Sequence, residues 1–273
     1  MSRPLLYESH MHTPLCRHAT GLPGEYAAHA QRRGLRGIIV TCHSPMPDGF
    51  SASVRMRPEQ FDEYLSLIAA AADEWRGRVE VLAGLESDYF PGMERWLEKL
   101  HQRAPFHYIL GSVHPQIKEY TSRHFHGDWP EFHRQYYRDL AAAAETGLFD
   151  SLAHPDIVKN QGAECWDVNA LLPDICRALD RIAATGVAME LNTSGRLKTV
   201  PEMNPAPAII REIHRRRIPM TIGADAHEPA RVADHYEEAL TLLRECGFAT
   251  VSVFLRRQRR EIPIQDALDS LRG

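Results

Sequence analysis

Seven short apolar runs, each followed at once by a histidine, an acid or an asparagine, constrain this chain more than any other feature. The first is Leu5-Leu6-Tyr7, ahead of His10 and His12. The second is Gly37-Ile38-Ile39-Val40-Thr41, ahead of His43. Three more run from Val79 to Glu86, from Tyr108 to His114 and from Ser151 to His154. The last two run from Val187 to Asn192 and from Pro219 to Asp225 and His227. β-Branched apolar runs of this length suit buried strands. Stretches of helical character separate them. Between the second and third runs, Phe61, Leu65, Ile68 and Ala72 recur at helical spacing, with Pro58 suited to a first turn. Helices are expected near 93–103, up to about 146, and over 168–184, where Gly186 ends the helix. Two more are expected over 206–217 and 230–246.

Strand and helix alternating through short connections predict a parallel sheet with crossover helices. The polar residues decide between an open sheet and a closed one. Strand ends converge on one axis in a barrel, and barrel chemistry sits on that rim. The expected fold is therefore α/β, a TIM-like barrel in a single domain over residues 1–273. Thr250 to Phe254 is a further strand candidate, so spacing alone leaves seven or eight strands open.

Along a strand, residues two apart share a face, so His10 and His12 can aim two imidazoles at one point. The rim residues form a set: His10, His12, His18, His43, Glu86, His114, His154, Asp225 and His227. A lone strand-end histidine is usually a hydrogen-bonding residue; the convergence carries the signal. Seven imidazoles and two carboxylates exceed the three protein ligands of a catalytic zinc. They suit two or three ions, with Glu86 bridging. Eight other histidines (His29, His101, His107, His124, His126, His133, His214 and His235) are expected in helices or loops. Of these, His124 and His126 stand in a loop that could cover the site.

A formal charge of −4 with no long basic run argues against a nucleic-acid or membrane partner. No apolar run approaches spanning length. Five cysteines, an odd number with no C-x-x-C, argue against a disulfide framework and for a reducing cytoplasm. Oligomeric state stays open.

The order H-x-H, a later His, T-x-H, G-x-E, G-S-V-H, H-P-D and D-A-H resembles the polymerase and histidinol phosphatase (PHP) superfamily, from His10 to His227. Pro14-Leu15-Cys16-Arg17-His18-Ala19, His43-Ser44-Pro45-Met46, Gly111-Ser112-Val113-His114 and Asn192-Thr193 are similar to its histidinol-phosphate phosphatase branch. The resemblance implies a distorted (β/α)7 barrel holding three divalent ions of zinc, iron or manganese. By motif position, His10, His12, Glu86 and Asp225 would hold one ion. Glu86, His114 and His154 would hold the second, and His18, His43 and His227 the third. Two positions depart from the pattern: Glu8 and Cys42 stand where the family usually has Asp. The implied activity is hydrolysis of L-histidinol phosphate in histidine biosynthesis, with a small phosphorylated substrate. Clustered divalent ions would neutralise the phosphoryl oxygens and acidify water toward a pKa of about 7. Asp225 and His227 are the candidates for handling the leaving group's proton. Arginine matches phosphate in a bidentate way. Arg55, Arg57, Arg196 and Lys159 are thus the phosphate-clamp candidates, and Asp156 could pair with the substrate ammonium. Two alternatives are a phosphoesterase for another small ester or a nucleotide, and a metal-dependent amidohydrolase. The second is disfavoured because Glu86 fills the place where those barrels usually have a modified lysine.

Overall fold

A computed structural model of the chain describes residues 4–271. Seven parallel strands are ordered as they occur in sequence: β1 (Tyr7–Glu8), β2 (Gly37–Val40), β3 (Glu80–Asp88), β4 (Tyr108–Ser112), β5 (Ser151–Leu152), β6 (Ala188–Asn192) and β7 (Met220–Gly223). The two edges meet just beyond β1 and β7. There His12 N donates to Ala226 O at 2.9 Å, and Ala226 N donates to His10 O at 2.9 Å. The sheet thus becomes a nearly closed, seven-stranded barrel, as the sequence resemblance implies.

Helices pack around the outside: α1 (Pro23–Arg32), α2 (Phe61–Glu74), α3 (Glu94–His101), α4 (Lys118–His124), α5 (Trp129–Glu145), α6 (Val168–Thr185), α7 (Pro207–Arg215), α8 (Tyr236–Glu245) and α9 (Ile264–Leu271). α2 buries Phe61, Tyr64, Ile68 and Ala71. The Tyr64 hydroxyl lies within 2.8 Å of Val40 O and 2.9 Å of Gly84 O, tying the helix to β2 and β3. Asp128 caps α5 by accepting from Glu131 N at 3.1 Å, and Asp167 caps α6 through Asn169 N and Ala170 N. Among the described residues, no helix is long and apolar enough to cross a membrane.

Two expectations change here. Thr250 to Phe254 does not join the barrel. It lies in β8 (Thr250–Leu255), which pairs antiparallel with β9 (Gln258–Pro263). Arg256 and Arg257 make the turn, with φ of 55° and 63°. Two consecutive positive φ values are the signature of a tight hairpin turn, normally written with Asn and Gly, and an Arg-Arg pair carries no such cue. Phe254 stacks on Tyr108 at 5.4 Å, in a cluster with Tyr7, Ile39, Leu110, Ala153 and Ala188 that fills the lumen. The hairpin thus caps the end of the barrel opposite the polar rim. The helix expected over 230–246 is shorter: Pro229–Arg231 is a 3-10 turn, and α8 begins only at Tyr236.

Candidate metal centre

Backbone pairing continues past the strands and makes the rim rigid. Thr41 N donates to Met11 O at 3.1 Å, Glu86 N to Thr41 O at 3.1 Å and Ser44 N to Glu86 O at 2.8 Å. His10, His12 and His43 therefore sit on extended chain, not on free loops. His154 and Asp225 adopt φ of 29° and 49°. Such backbone is strained for residues other than glycine and concentrates at functional sites.

All nine rim residues come together. Glu86, fully buried, lies at the middle. Its Oε1 faces His114 Nε2 at 3.3 Å, His154 Nε2 at 3.3 Å and His10 Nε2 at 3.6 Å. Its Oε2 faces His43 Nδ1 at 2.6 Å and His12 Nε2 at 3.7 Å. Asp225 Oδ1 lies 3.0 Å from His12 Nε2 and 3.5 Å from His10 Nε2. His18 and His227 close the outer side, with Nε2 atoms 2.9 Å apart.

Four imidazoles are held from behind. His10 Nδ1 bonds Glu190 Oε1 at 2.7 Å, His114 Nδ1 bonds Asp88 Oδ1 at 3.1 Å, His18 Nδ1 bonds Cys16 O at 2.8 Å, and His227 Nδ1 bonds Asp225 O at 3.0 Å. Each of these partners can only accept, except a protonated acid, so Nδ1 carries a proton in every ring and Nε2 is the nitrogen turned into the centre.

The electrostatics follow from burial beside acids. Burial opposes charge on His10, but Glu190, Asp225 and Glu86 outweigh it and raise its pKa well above the ordinary value. Burial likewise opposes charge on His12 and His114, yet neighbouring carboxylates raise them to about 9 and about 10. Burial disfavours the Glu86 and Asp225 carboxylates, but the surrounding imidazoles hold both well below the usual carboxylate range. Burial lowers His43 to about 4 and His227 to about 2, and lowers His18 as well.

These facts test whether the residues fit divalent cations. His18 and His227 both have depressed pKa values, and both give their only proton to a backbone carbonyl. Their Nε2 atoms therefore face each other, 2.9 Å apart, as two lone pairs. A cation is the partner that such an arrangement requires. Buried His10 Nε2 also lacks a hydrogen-bond partner, which is unusual for a buried polar atom, and His43 Nδ1 and Glu86 Oε2 meet each other without hydrogen-bond geometry. Imidazole and carboxylate donors suit zinc, iron or manganese.

The substrate-side residues are placed differently from expectation. Arg55 is buried. Its donors go to Ser44 O at 3.0 Å, Ser51 O at 3.3 Å and the Asp88 carboxylate, so it braces Asp88 and through it His114. Lys159 is also buried, with Nζ on Asp156 at 3.2 Å, Glu202 at 3.3 Å and Met203 O at 2.9 Å. Neither Lys159 nor Asp156 is turned to an open site: Asp156 Oδ2 accepts from Lys159 Nζ and from Ala206 N at 2.8 Å, while its buried Oδ1 meets no partner. Arg196 pairs at the surface with Glu238, and Arg57 is exposed beside the 3-10 turn Pro58–Gln60. His124 packs against Tyr120 with the rings tilted by 40°, and His126 is exposed; neither joins the cluster.

A cavity of about 390 Å³ opens beside His18, His43 and His114. Ser51 and Arg55 line one wall, and Gln116, Lys118 and Glu119 the other. Glu119 Oε1 accepts from Ser51 N at 2.8 Å, joining the two walls.

Glu190 and Asp88 were missed from sequence. Glu190 had a signal: a lone acid inside an apolar run, two residues before Asn192 and so on its face. Asp88 shares a face with Glu86 in the same way, but β3 runs beyond its apolar stretch and hides the pattern. Glu8 turns away from the centre. Its carboxylate accepts His10 N and Ala224 N at 3.0 Å and Ala233 N at 2.9 Å. Burial outweighs these bonds and raises its pKa to about 7.

Fold and site together define a barrel protein with a multidentate metal centre on the C-terminal rim of its strands. The chain belongs to the PHP domain family, which matches residues 8–194. It is 40% identical over 265 residues to a probable histidinol-phosphatase of Deinococcus radiodurans, covering 93% of this chain and 98% of that one. A histidinol-phosphatase of Bacillus subtilis is 24% identical, over 85% of this chain and 97% of that one. Among solved structures, the histidinol phosphate phosphatase of Lactococcus lactis, in complex with zinc, L-histidinol and phosphate, superposes with a TM-score of 0.77. It is 20% identical and covers 93% of this chain and 98% of that one.

Proposed function

We propose that this protein is a metal-dependent phosphomonoesterase that converts L-histidinol phosphate and water to L-histidinol and phosphate. The observation that carries the metal requirement is the facing pair of His18 and His227 lone pairs beside a carboxylate ringed by imidazoles. The substrate follows from the 40% identity to the Deinococcus radiodurans protein across nearly the whole chain.

Three ions are the reading that the donor set supports best. His10, His12, Glu86 and Asp225 would hold one, Glu86, His114 and His154 the second, and His18, His43 and His227 the third. When bound, such ions would offset the charge of the phosphate dianion and acidify a water toward a pKa of about 7. The protein's part is aim and proton traffic. Glu190 and Asp88 fix the tautomers of His10 and His114. Asp225, held as a carboxylate, is placed to take a proton from the attacking water and return it to the departing alkoxide. His227, with its proton on Nδ1, has only Nε2 to offer a cation, whereas Asp225 turns Oδ1 to His10 and His12 and keeps Oδ2, 3.0 Å from Ser194 Oγ, for the proton. The cavity beside His43 and His114 takes the organic end of the substrate. There Glu119 is the acid available to its ammonium. A cytoplasmic reaction is the reading supported by five cysteines that are all free among the described residues.

A panel of phosphate monoesters and nucleotides tests the substrate. L-Histidinol phosphate should give kcat/KM at least about 100-fold above the others, the scale on which a pocket discriminates by shape and apolar contact alone. A nucleotide turned over faster would replace the proposed substrate and keep the reaction class.

A further inference from the structure

Cys42 stands between β2 and the metal-centre residue His43, and both it and Cys16 are fully buried. Nothing described so far gives the thiols a task. His12 offers one. Its Nε2 faces the centre, 3.0 Å from Asp225 Oδ1. His10, His18, His114 and His227 each anchor the opposite nitrogen on an oxygen. His12 does not: its buried Nδ1 has no hydrogen-bond partner, oxygen or sulfur, within ordinary geometry. Sulfur lies beside that ring. A His12 ring nitrogen and the sulfurs of Cys16 and Cys42 all lie within 4.8 Å of one another. With Nε2 turned to Asp225 and Glu86, Nδ1 is the nitrogen left for the thiols. The Cys42 sulfur is itself fixed. Thr13 N and Thr13 Oγ1 approach it at 3.4 Å and 3.2 Å, and its own S–H is 3.7 Å from Thr13 O.

We infer that Cys42 is the positioning residue of His12. Its sulfur accepts the Nδ1 hydrogen, fixes that tautomer and keeps the Nε2 lone pair aimed between Glu86 and Asp225. A carboxylate does this for His10 and His114; here a thiol held by its neighbour Thr13 does so. Cys42 is not a ligand in this arrangement, because His12 stands between it and the centre. The inference rests on the metal-centre reading above.

The test uses the metal-loaded protein and its Cys42→Ala, Cys42→Ser and Cys42→Asp variants, each checked for folding by circular dichroism. Metal retained is measured during dialysis against increasing chelator, beside kcat and KM. Cobalt-substituted protein is examined for a sulfur-to-cobalt charge-transfer band. Cys42→Ala should release one equivalent of metal about 10–100-fold more readily, as expected when an imidazole loses its orienting partner. Its kcat should fall with little change in KM. Cys42→Asp, which restores an acceptor, should recover much of the loss, whereas a packing role alone would make a buried acid worse than Ala. Wild-type cobalt protein should show no such band. Cys42→Ala retaining every equivalent, no rescue by Asp, or an intense band in the wild type would each overturn the inference; the band would make Cys42 a ligand. Wild-type protein that binds no divalent metal would instead overturn the metal-centre reading on which it rests.

Discussion

At the scale of single residues, the centre is organised as much from behind as from in front. Glu190 touches His10 Nδ1 at 2.7 Å and His154 N at 2.9 Å, so one acid orients a side chain and pins a strained backbone turn. Asn192 Nδ2 donates to it at 3.0 Å, completing the set. Glu190→Gln should fold and should lose about 10–100-fold in metal affinity, read by chelator competition with activity followed in parallel; unchanged affinity would show that His10 needs no orientation. The ligands themselves were legible in the sequence because all but His18 follow an apolar run. The groups that hold them were not, because Asp88 and Glu190 lie within strands, where a polar residue is easily read as surface. The reverse failure occurs with Lys159 and Arg55. Their charge suggests a phosphate clamp, but burial commits both to internal carboxylates, a choice that no local pattern encodes.

At the scale of the elements, the rim depends on how closely β7 approaches β1. A Cβ added at Gly223 would stand 2.2 Å from Glu190 Oε1 and 2.5 Å from His10 Cβ. Gly223→Ala must therefore push apart the pair that orients His10. We expect soluble protein with about 10–100-fold weaker metal binding, measured by elemental analysis after dialysis; wild-type metal content would mean that the strands give way without cost. The seven strands and most helices could be read from periodicity, since each buries one continuous stripe or run. α4 and the β8–β9 hairpin could not. α4 buries only Tyr120, too little to give a period. The hairpin turns on Arg256 and Arg257, whose positive φ values are held by tertiary contacts: Arg257 N donates to His107 O at 2.9 Å, and its side chain pairs with Asp150 at 2.6 Å.

At the scale of the whole molecule, stability should carry a pH signature that lies outside the metal centre. Burial, helped by Arg257, lowers His101 from 6.5 to about 3. It lies 2.9 Å from Ser87 Oγ and packs edge-on to Phe149. Between those pH values the unfolded chain binds the proton and the folded chain does not, so stability rises with pH. The contribution is complete above about 6.5 and drains away toward 3, by up to about 1.4 kcal/mol per pH unit. Comparing wild type with His101→Phe by urea unfolding from pH 7 to pH 4 should show this slope only in the wild type; parallel curves would remove His101 as its source. The barrel itself exists to bring residues from both ends of the chain to one mouth, and that mouth is where the account is most exposed. The most direct measurement is phosphate release from L-histidinol phosphate by chelator-stripped protein, titrated back with zinc, manganese or iron(II) while bound metal is counted. Activity should vanish on stripping and return in step with the equivalents bound, and Glu86→Gln should neither fill nor recover. Full turnover by metal-free protein, or a wild-type chain that takes up no divalent ion, would contradict it.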